Sequence, residues 1–255
     1  MGVEPFDLLP VGAAGSSSQE PDSLFERVGW LYAFFREHLF RDDTNGIAAA
    51  LWPRGAPPEG SRLVELGCGP GFYCCRFAER FRNLRVLGLD RSNQQLRRAR
   101  RSARSRRLEN CTFERADALA LAEADDSVDA LLAVRLFTIL PSREVALGEM
   151  YRVLRPGGRC FIAEPCSRLR AAIPLRLMWI VANLMAFAGD YRSRVYREPP
   201  DATVLSPEMF AGLVMTQPWG SVWRWQDPHY QYAICEKGPA PARVASRLEN
   251  EDYTI

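Results

Sequence analysis

The stretch Val64-Glu65-Leu66-Gly67-Cys68-Gly69-Pro70-Gly71, followed nineteen residues later by Asp90, constrains this chain more than any other part of it. An apolar lead, Arg62-Leu63-Val64, enters three glycines at alternate positions. A helical segment, Phe72 to Phe81, follows, and Leu84 to Asp90 then forms a second apolar run with a carboxylate at its tip. The order is strand, glycine turn, helix, strand, acid. Glycine takes positive φ without steric cost and lets backbone approach a ligand closely. An acid at the tip of the second strand can accept both hydroxyls of a ribose. The spacing predicts a nucleoside-bearing cofactor.

The glycine positions decide which kind. A dinucleotide turn places its third glycine three residues after the second, so that a pyrophosphate rests on a helix N-terminus. Counted from Gly67 and Gly69, that position is Phe72, and the pattern is instead E-x-G-x-G-x-G with Glu65 two residues before the first glycine. A carboxylate there repels a pyrophosphate but can orient a cationic amine. S-adenosylmethionine carries an amine, a sulfonium and a ribose, and no phosphate. Glycine turns between strand and helix also occur in α/β proteins without such a ligand; the distance to Asp90 argues for the cofactor here.

Three further segments share this span. They are Leu87-Gly88-Leu89-Asp90-Arg91-Ser92, Phe113-Glu114-Arg115-Ala116-Asp117-Ala118-Leu119, and the run from Met150 to Pro165 with its L-R-P-G-G turn. In order and spacing the four segments resemble the class I S-adenosylmethionine-dependent methyltransferase superfamily, from about Ser61 to Glu164. The resemblance implies an α/β, Rossmann-like, seven-stranded, mostly parallel sheet with an antiparallel last strand. N-terminal helices and a helical insertion after strand five would accompany it. It also implies S-adenosyl-L-methionine contacts from Glu65, Gly67, Cys68, Gly69 and Gly71, from Asp90 and Arg91, from Asp117 and Ala118, and from Val134. Asp117 would accept from the adenine amino group.

Along the chain, Asp22 to Phe40 reads as an amphipathic helix capped by Asp22 or Ser23. Helices are expected at Asn93–Arg106, Ser142–Leu154 and from Ser206-Pro207 to Met215, the last with Ser at the N-cap and Pro at N1. Strands are expected at Cys111–Glu114, Val128–Val134 and Arg159–Glu164, and two β runs, Trp219–Trp225 and His229–Glu236, flank Asp227-Pro228. Alternating β and α segments imply a parallel sheet with its ligands at the C-terminal strand ends. At 255 residues and 47% hydrophobic, the chain can bury one sizeable core. A single domain over 23–237 is expected, with a flexible N-terminus (1–22), which has no secretory signal pattern, and a flexible tail (238–255). Net charge of +2 predicts no general nucleic-acid partner.

The seven cysteines are odd in number and contain no C-x-x-C pair. They read as reduced thiols packing as small apolar groups in a cytoplasmic protein. With only His38 and His229 as imidazoles, zinc spacing is not met. Arsenite methylation through several thiols is a rival without a spaced cysteine set to support it.

Two regions outside the shared core bear on the substrate. Arg97 to Arg107 holds seven arginines in eleven residues. That composition suits a solvated helix face or attraction to an anionic membrane surface, worth ~1 kcal/mol per basic residue near the headgroups. RNA would want interleaved aromatics, which are missing. Ala171 to Gly189, within an apolar stretch at 168–200, has Arg176, Asn183 and Asp190 as a narrow polar stripe. Such a helix is buried, lies at a membrane surface or walls a greasy pocket. Pro174, Arg176 and Asn183 argue against a spanning helix.

That combination resembles the quinone-modifying branch of the superfamily. Within it, the segments Ala133–Pro141, Arg159–Pro165, Thr216–Trp219, Arg224–Pro228 and Tyr230–Lys237 are similar to the enzymes of rhodoquinone biosynthesis. This implies a lipophilic quinone substrate, ubiquinone, with a ring methoxy replaced by an amino group from S-adenosylmethionine, manganese (Mn2+) as helper, and a peripheral position on the inner face of the cytoplasmic membrane. Conventional C- or O-methylation of a quinone precursor or another small aromatic molecule is the alternative, and a cofactor-binding protein without turnover is a third. Many quinone O-methylases carry a Glu-His pair after strand four, where this chain has Phe137-Thr138-Ile139-Leu140. Candidate catalytic residues are Arg135, Tyr73, Tyr191 and His229, with Tyr32 beside them; Arg135 and Tyr73 suit a surface ion pair and first-turn packing equally well. Metal ligands stay unassigned, with Asp117, Glu164 and Asp190 as oxygen donors to consider.

Overall fold

The computed structural model describes residues 43–166, 177, 180, 181 and 204–239. The expected helix at 22–40, Tyr32, nearly all of 168–200 with Tyr191 and Asp190, and most of both expected flexible ends lie outside them. The described elements are α1 (Thr44–Leu51), β1 (Arg62–Leu66), α2 (Phe72–Arg80), β2 (Arg85–Asp90), α3 (Asn93–Ser105), β3 (Cys111–Arg115) and β4 (Val128–Val134). After these come α4 (Arg143–Val153), β5 (Leu154–Pro165), α5 (Pro207–Val214), β6 (Ser221–Gln226) and β7 (Tyr230–Glu236).

The strands form one seven-stranded sheet in the order β3-β2-β1-β4-β5-β7-β6. β1 to β5 pair in parallel, and β7 slots antiparallel between β5 and β6. Strand periodicity explains the two-sided core. Leu63, Leu132 and Phe161 face one layer with Ile47, Leu51, Phe77 and Leu96, while Val64, Leu131 and Ile162 face the other with Met150, Val153, Phe210 and Val214. Both faces of these strands are covered, as a parallel sheet requires. Strand order reverses between β1 and β4, which opens a crevice at their C-terminal ends.

α3 shows how its sequence sorts itself. The Ser92 hydroxyl caps it by accepting from the Gln95 amide at 3.3 Å, and Gln95, Leu96, Ala99 and Ala103 are buried. Arg97, Arg100, Arg101, Arg104 and Arg107 lie on the exposed side. Among the described residues no helix is long and apolar enough to cross a membrane. All seven cysteines are free thiols and six are buried.

Two elements differ from expectation. β5 starts at Leu154 rather than Arg159, because Val128 pairs with Leu154 before a register shift that absorbs the P-G-G segment as an irregularity, with Gly157 at φ 74. α1 was not foreseen. It is eight residues long, its N-cap Asp43 makes no side-chain cap bond, and it is held by burial of Ile47, Ala48 and Leu51. Tertiary packing, not local signal, makes it a helix.

Gly88 in β2 is fixed by packing. A Cβ there would stand 2.6 Å and 2.8 Å from Phe113 ring carbons and 2.9 Å from Cys68 Sγ. Gly88→Ala is expected to destabilise by about 1–3 kcal/mol through overpacking, read as a lower urea midpoint at unchanged m.

Candidate functional site

The turn from β1 to α2 is built from left-handed glycines: Gly67 at φ 67, Gly69 at φ 53 and Gly71 at φ 79, with Gly71 the N-cap of α2. Two of them are required twice over. A Cβ on Gly67 would meet Leu136 Cδ1 at 2.9 Å, and one on Gly71 would meet Phe113 at 2.8 Å and Ala99 Cβ at 2.9 Å. The turn is tied to β2 through Cys68 N–H donating to Leu89 O at 3.0 Å. Gly69 N–H donates to Asp90 Oδ2 at 2.8 Å, and Ser92 N–H donates to Asp90 Oδ1 at 2.8 Å. Asp90 thus bridges both loops and holds its carboxylate in one orientation at the end of β2. Each carboxylate oxygen has capacity for more than one donor.

Glu65 lies beneath this turn, 4% exposed. Its Oε2 accepts from Cys74 N–H at 3.0 Å and from Cys74 Sγ at 2.9 Å, in the first turn of α2. A carboxylate is favoured at a helix N-terminus, so at least one oxygen has a local role besides the expected one toward an amine. Burial pushes the Cys68 thiol up to about 11, which makes it a packing group and not a nucleophile.

Toward β3, Asp117 Oδ1 accepts from Leu119 N–H at 3.0 Å, and its Oδ2 lies 3.9 Å from Arg91 Nε. Ala118 is buried beside them. The loops after β2 and β3 therefore bring Arg91, Asp117 and Ala118 together along the same sheet end as Asp90.

On the other side of the glycine turn, Val134 ends β4 and Arg135 takes a left-handed φ of 59. Its N–H donates to Ala163 O at 2.8 Å, and its Nη1 donates to the Tyr230 hydroxyl at 3.1 Å. Glu164, 1% exposed on β5, anchors the next residues. Its Oε1 accepts from Phe137 N–H at 2.8 Å, and its Oε2 accepts from Thr138 N–H at 3.1 Å and from the Thr138 hydroxyl. Burial pushes the Glu164 carboxyl up, only partly countered by these donors and by the charge of Arg135. The same turn places Leu136 against Gly67, so β5 positions the wall of the glycine turn.

The β6–β7 hairpin completes this end. Asp227 Oδ1 accepts from His229 N–H at 2.6 Å and Tyr230 N–H at 2.7 Å, while Oδ2 accepts from the Tyr232 hydroxyl at 2.8 Å. Burial alone would raise the Asp227 carboxyl, but these donors outweigh it and hold it below the usual range. Tyr232 stacks on Trp225 with centroids 5.1 Å apart.

The fold brings together Gly67, Cys68, Gly69, Gly71, Asp90 and, across the crevice, Val134 and Arg135. Tyr73 is 3% exposed, in the core, with its ring 5.2 Å from that of Phe72. His229 is exposed on the hairpin turn. Among the described residues no group of three or more His, Cys, Asp or Glu could hold a metal ion, and Glu164 is already engaged by three donors. These residues do not fit a manganese site. The sequence reading missed Tyr230, Asp227 and the positioning role of Glu164. Asp227-Pro228 carries turn chemistry that could have flagged the aspartate; nothing local marks Tyr230.

The chain matches a family described as methyltransferase domain over residues 58–193. It is 30% identical to a demethylmenaquinone methyltransferase of Deinococcus radiodurans over 203 residues, 78% of this chain and 83% of that one. It is 31% identical to a trans-aconitate 2-methyltransferase of Variovorax paradoxus over 158 residues, 60% of this chain and 58% of that one. The chain thus spans less than two thirds of the length of that relative. Among solved structures, a SAM-dependent methyltransferase of Aquifex aeolicus superposes with a TM-score of 0.57 at 15% identity, covering 82% of this chain and 98% of that one. At that identity the likeness concerns the fold.

Proposed function

The chain belongs to the methyltransferase domain family, of the class I S-adenosylmethionine-dependent type, and on that premise we propose that it transfers a group from S-adenosylmethionine to a lipophilic quinone or quinol ring. The observation that carries the cofactor half is the Asp90 bridge, a carboxylate oriented by Gly69 and Ser92 at the mouth of a glycine turn that tolerates no Cβ at Gly67 or Gly71. The quinone half is supported by the demethylmenaquinone methyltransferase of Deinococcus radiodurans, matched over most of its length.

Each residue then has a task. Asp90 takes the ribose hydroxyls. The backbone of Gly67, Cys68, Gly69 and Gly71 lines the methionine portion, with Glu65 beneath it, and Arg91, Asp117 and Ala118 border the adenine. Val134 and Arg135 face the junction with the acceptor, and His229, exposed on the hairpin turn, and Tyr191 are kept as catalytic candidates; Tyr73, buried in the core, packs and does not reach an acceptor. The bound cofactor supplies an electrophilic sulfonium methyl. For methylation, an acceptor carbon or oxygen takes that methyl, S-adenosylhomocysteine leaves, and the acceptor loses one proton. Alignment by the protein provides much of the rate.

The finer reading is amino-for-methoxy exchange on ubiquinone: the ring carbon gains the donor's nitrogen as methanol leaves, and tautomerisation with hydrolysis then releases the donor as its 2-oxo acid and leaves the amino-substituted ring as the quinol. The observation that favours it is the turn Phe137-Thr138-Ile139-Leu140, which offers no imidazole or carboxylate as general base and is occupied in binding Glu164. A peripheral position at an anionic membrane fits the exposed arginines of α3. Cells supplied with methionine labelled with ¹³C in the methyl group and ¹⁵N in the amino group test both readings through lipid mass spectrometry. Compared with cells lacking the gene, expression is expected to yield a new quinone product: one ¹⁵N gained with one methoxy lost for amination, or one further ¹³C methyl for methylation. No quinone that gains ¹⁵N or a further ¹³C methyl over those control cells contradicts the proposal.

A further inference from the structure

Tyr230 lies at the crevice end of the sheet. It is the first residue of β7 and pairs with Pro165 at the C-terminal end of β5, which brings it to the crevice where β4 delivers Arg135. Its hydroxyl oxygen accepts from Arg135 Nη1 at 3.1 Å. Among the described residues no group takes the Tyr230 hydroxyl proton, although a phenol is both donor and acceptor. The guanidinium charge on its oxygen makes that O–H a stronger donor, since a charged partner polarises the bond.

Both partners are held in place from behind. The left-handed backbone of Arg135 is pinned by its N–H to Ala163 O, and Tyr230 is pinned by its N–H to Asp227 Oδ1. Tyr230 is half-buried, with its ring 6.1 Å from that of Tyr232. The half-buried Tyr230 ring therefore ends in a polarised O–H beside a guanidinium, an arrangement that suits a ring bearing an oxygen.

We propose that Tyr230 is a substrate-binding residue, and that its hydroxyl, together with Arg135, binds a ring oxygen of the acceptor. This rests on the quinone reading above and deepens it, because it names the atom recognised. Such donors stabilise negative charge on that oxygen. In a quinol this favours the phenolate, which activates the ring toward an electrophile. In a quinone it polarises the carbonyl, which activates the ring toward an amine. The pair thus sets specificity for an oxygenated ring whichever group is transferred.

The test uses the full chain saturated with S-adenosylhomocysteine and two probes: 2-methyl-1,4-naphthoquinone, and 2-methylnaphthalene, a similar ring system without the oxygens. Dissociation constants are measured by fluorescence quenching for wild type and Tyr230→Phe. The quinone is expected to bind at least about tenfold more tightly than the hydrocarbon, and Tyr230→Phe to weaken the quinone about tenfold while leaving the hydrocarbon, S-adenosylhomocysteine binding and the melting temperature unchanged. Arg135→Lys is expected to act on the same probe in the same direction. Equal binding of the two probes, or an unaltered quinone constant in Tyr230→Phe, overturns the inference. Failure of S-adenosylhomocysteine to bind overturns the cofactor reading instead, and is seen in a separate titration.

Discussion

Asp90→Ala is expected to lower affinity for S-adenosylmethionine by two orders of magnitude or more. On the proposed reading the carboxylate at the end of β2 takes the ribose hydroxyls, and two hydrogen bonds to a charged acceptor are worth about 1.5–3 kcal/mol each. Alanine also leaves Gly69 N–H and Ser92 N–H without their acceptor, so the turn loses its tie to the loop after β2. Asp90→Asn separates these effects. It keeps one acceptor oxygen for the backbone but removes the charge, and is expected to bind with intermediate affinity at near-normal stability. Calorimetric titration together with urea unfolding reads both quantities. An alanine variant that binds as tightly as wild type would remove Asp90 from the site.

The largest effect on stability is expected from Glu164→Ala. That change strands the N–H groups of Phe137 and Thr138 and the Thr138 hydroxyl in a buried place. Each stranded donor costs about 1–3 kcal/mol, so a total of about 3–9 kcal/mol is expected against a typical stability of about 5–15 kcal/mol. Glu164→Gln keeps the shape without the ionisation and isolates the pH dependence. Because the folded carboxyl is held above its unfolded value, its favourable contribution is complete below the unfolded value. It is lost as pH rises through the folded value. Urea unfolding from pH 4 to pH 8 is expected to show wild type losing stability relative to the Gln variant as pH rises. A relative gain would reverse the assignment.

The strand and helix pattern around the glycine turn was legible because it is local. Apolar runs, glycines at alternate positions and the acid at Asp90 all sit within one β-α-β unit, and the paired strands fall where the runs do. Ser206-Pro207 likewise announced α5, and the Ser206 hydroxyl accepts from Met209 N–H at 3.2 Å. What stayed hidden depends on distant contacts. Arg135 and Tyr230 lie 95 residues apart in sequence and meet through the pairing of β5 with β7. Glu164 reads as a candidate oxygen donor to a metal until the turn at Phe137 and Thr138 closes on it. α1 has too weak a helical signal, with Gly46 inside it, to be seen before the burial of Ile47 and Leu51.

On the proposed reading, the crevice between the C-terminal ends of β1 and β4, bordered by the tip of β2, takes S-adenosylmethionine. Titration of S-adenosylmethionine into the folded chain in a calorimeter tests it most directly. One site per chain, displaced by S-adenosylhomocysteine and untouched by NAD, is the expected result. No heat of binding from a cooperatively folded sample, or displacement by NAD, would contradict it.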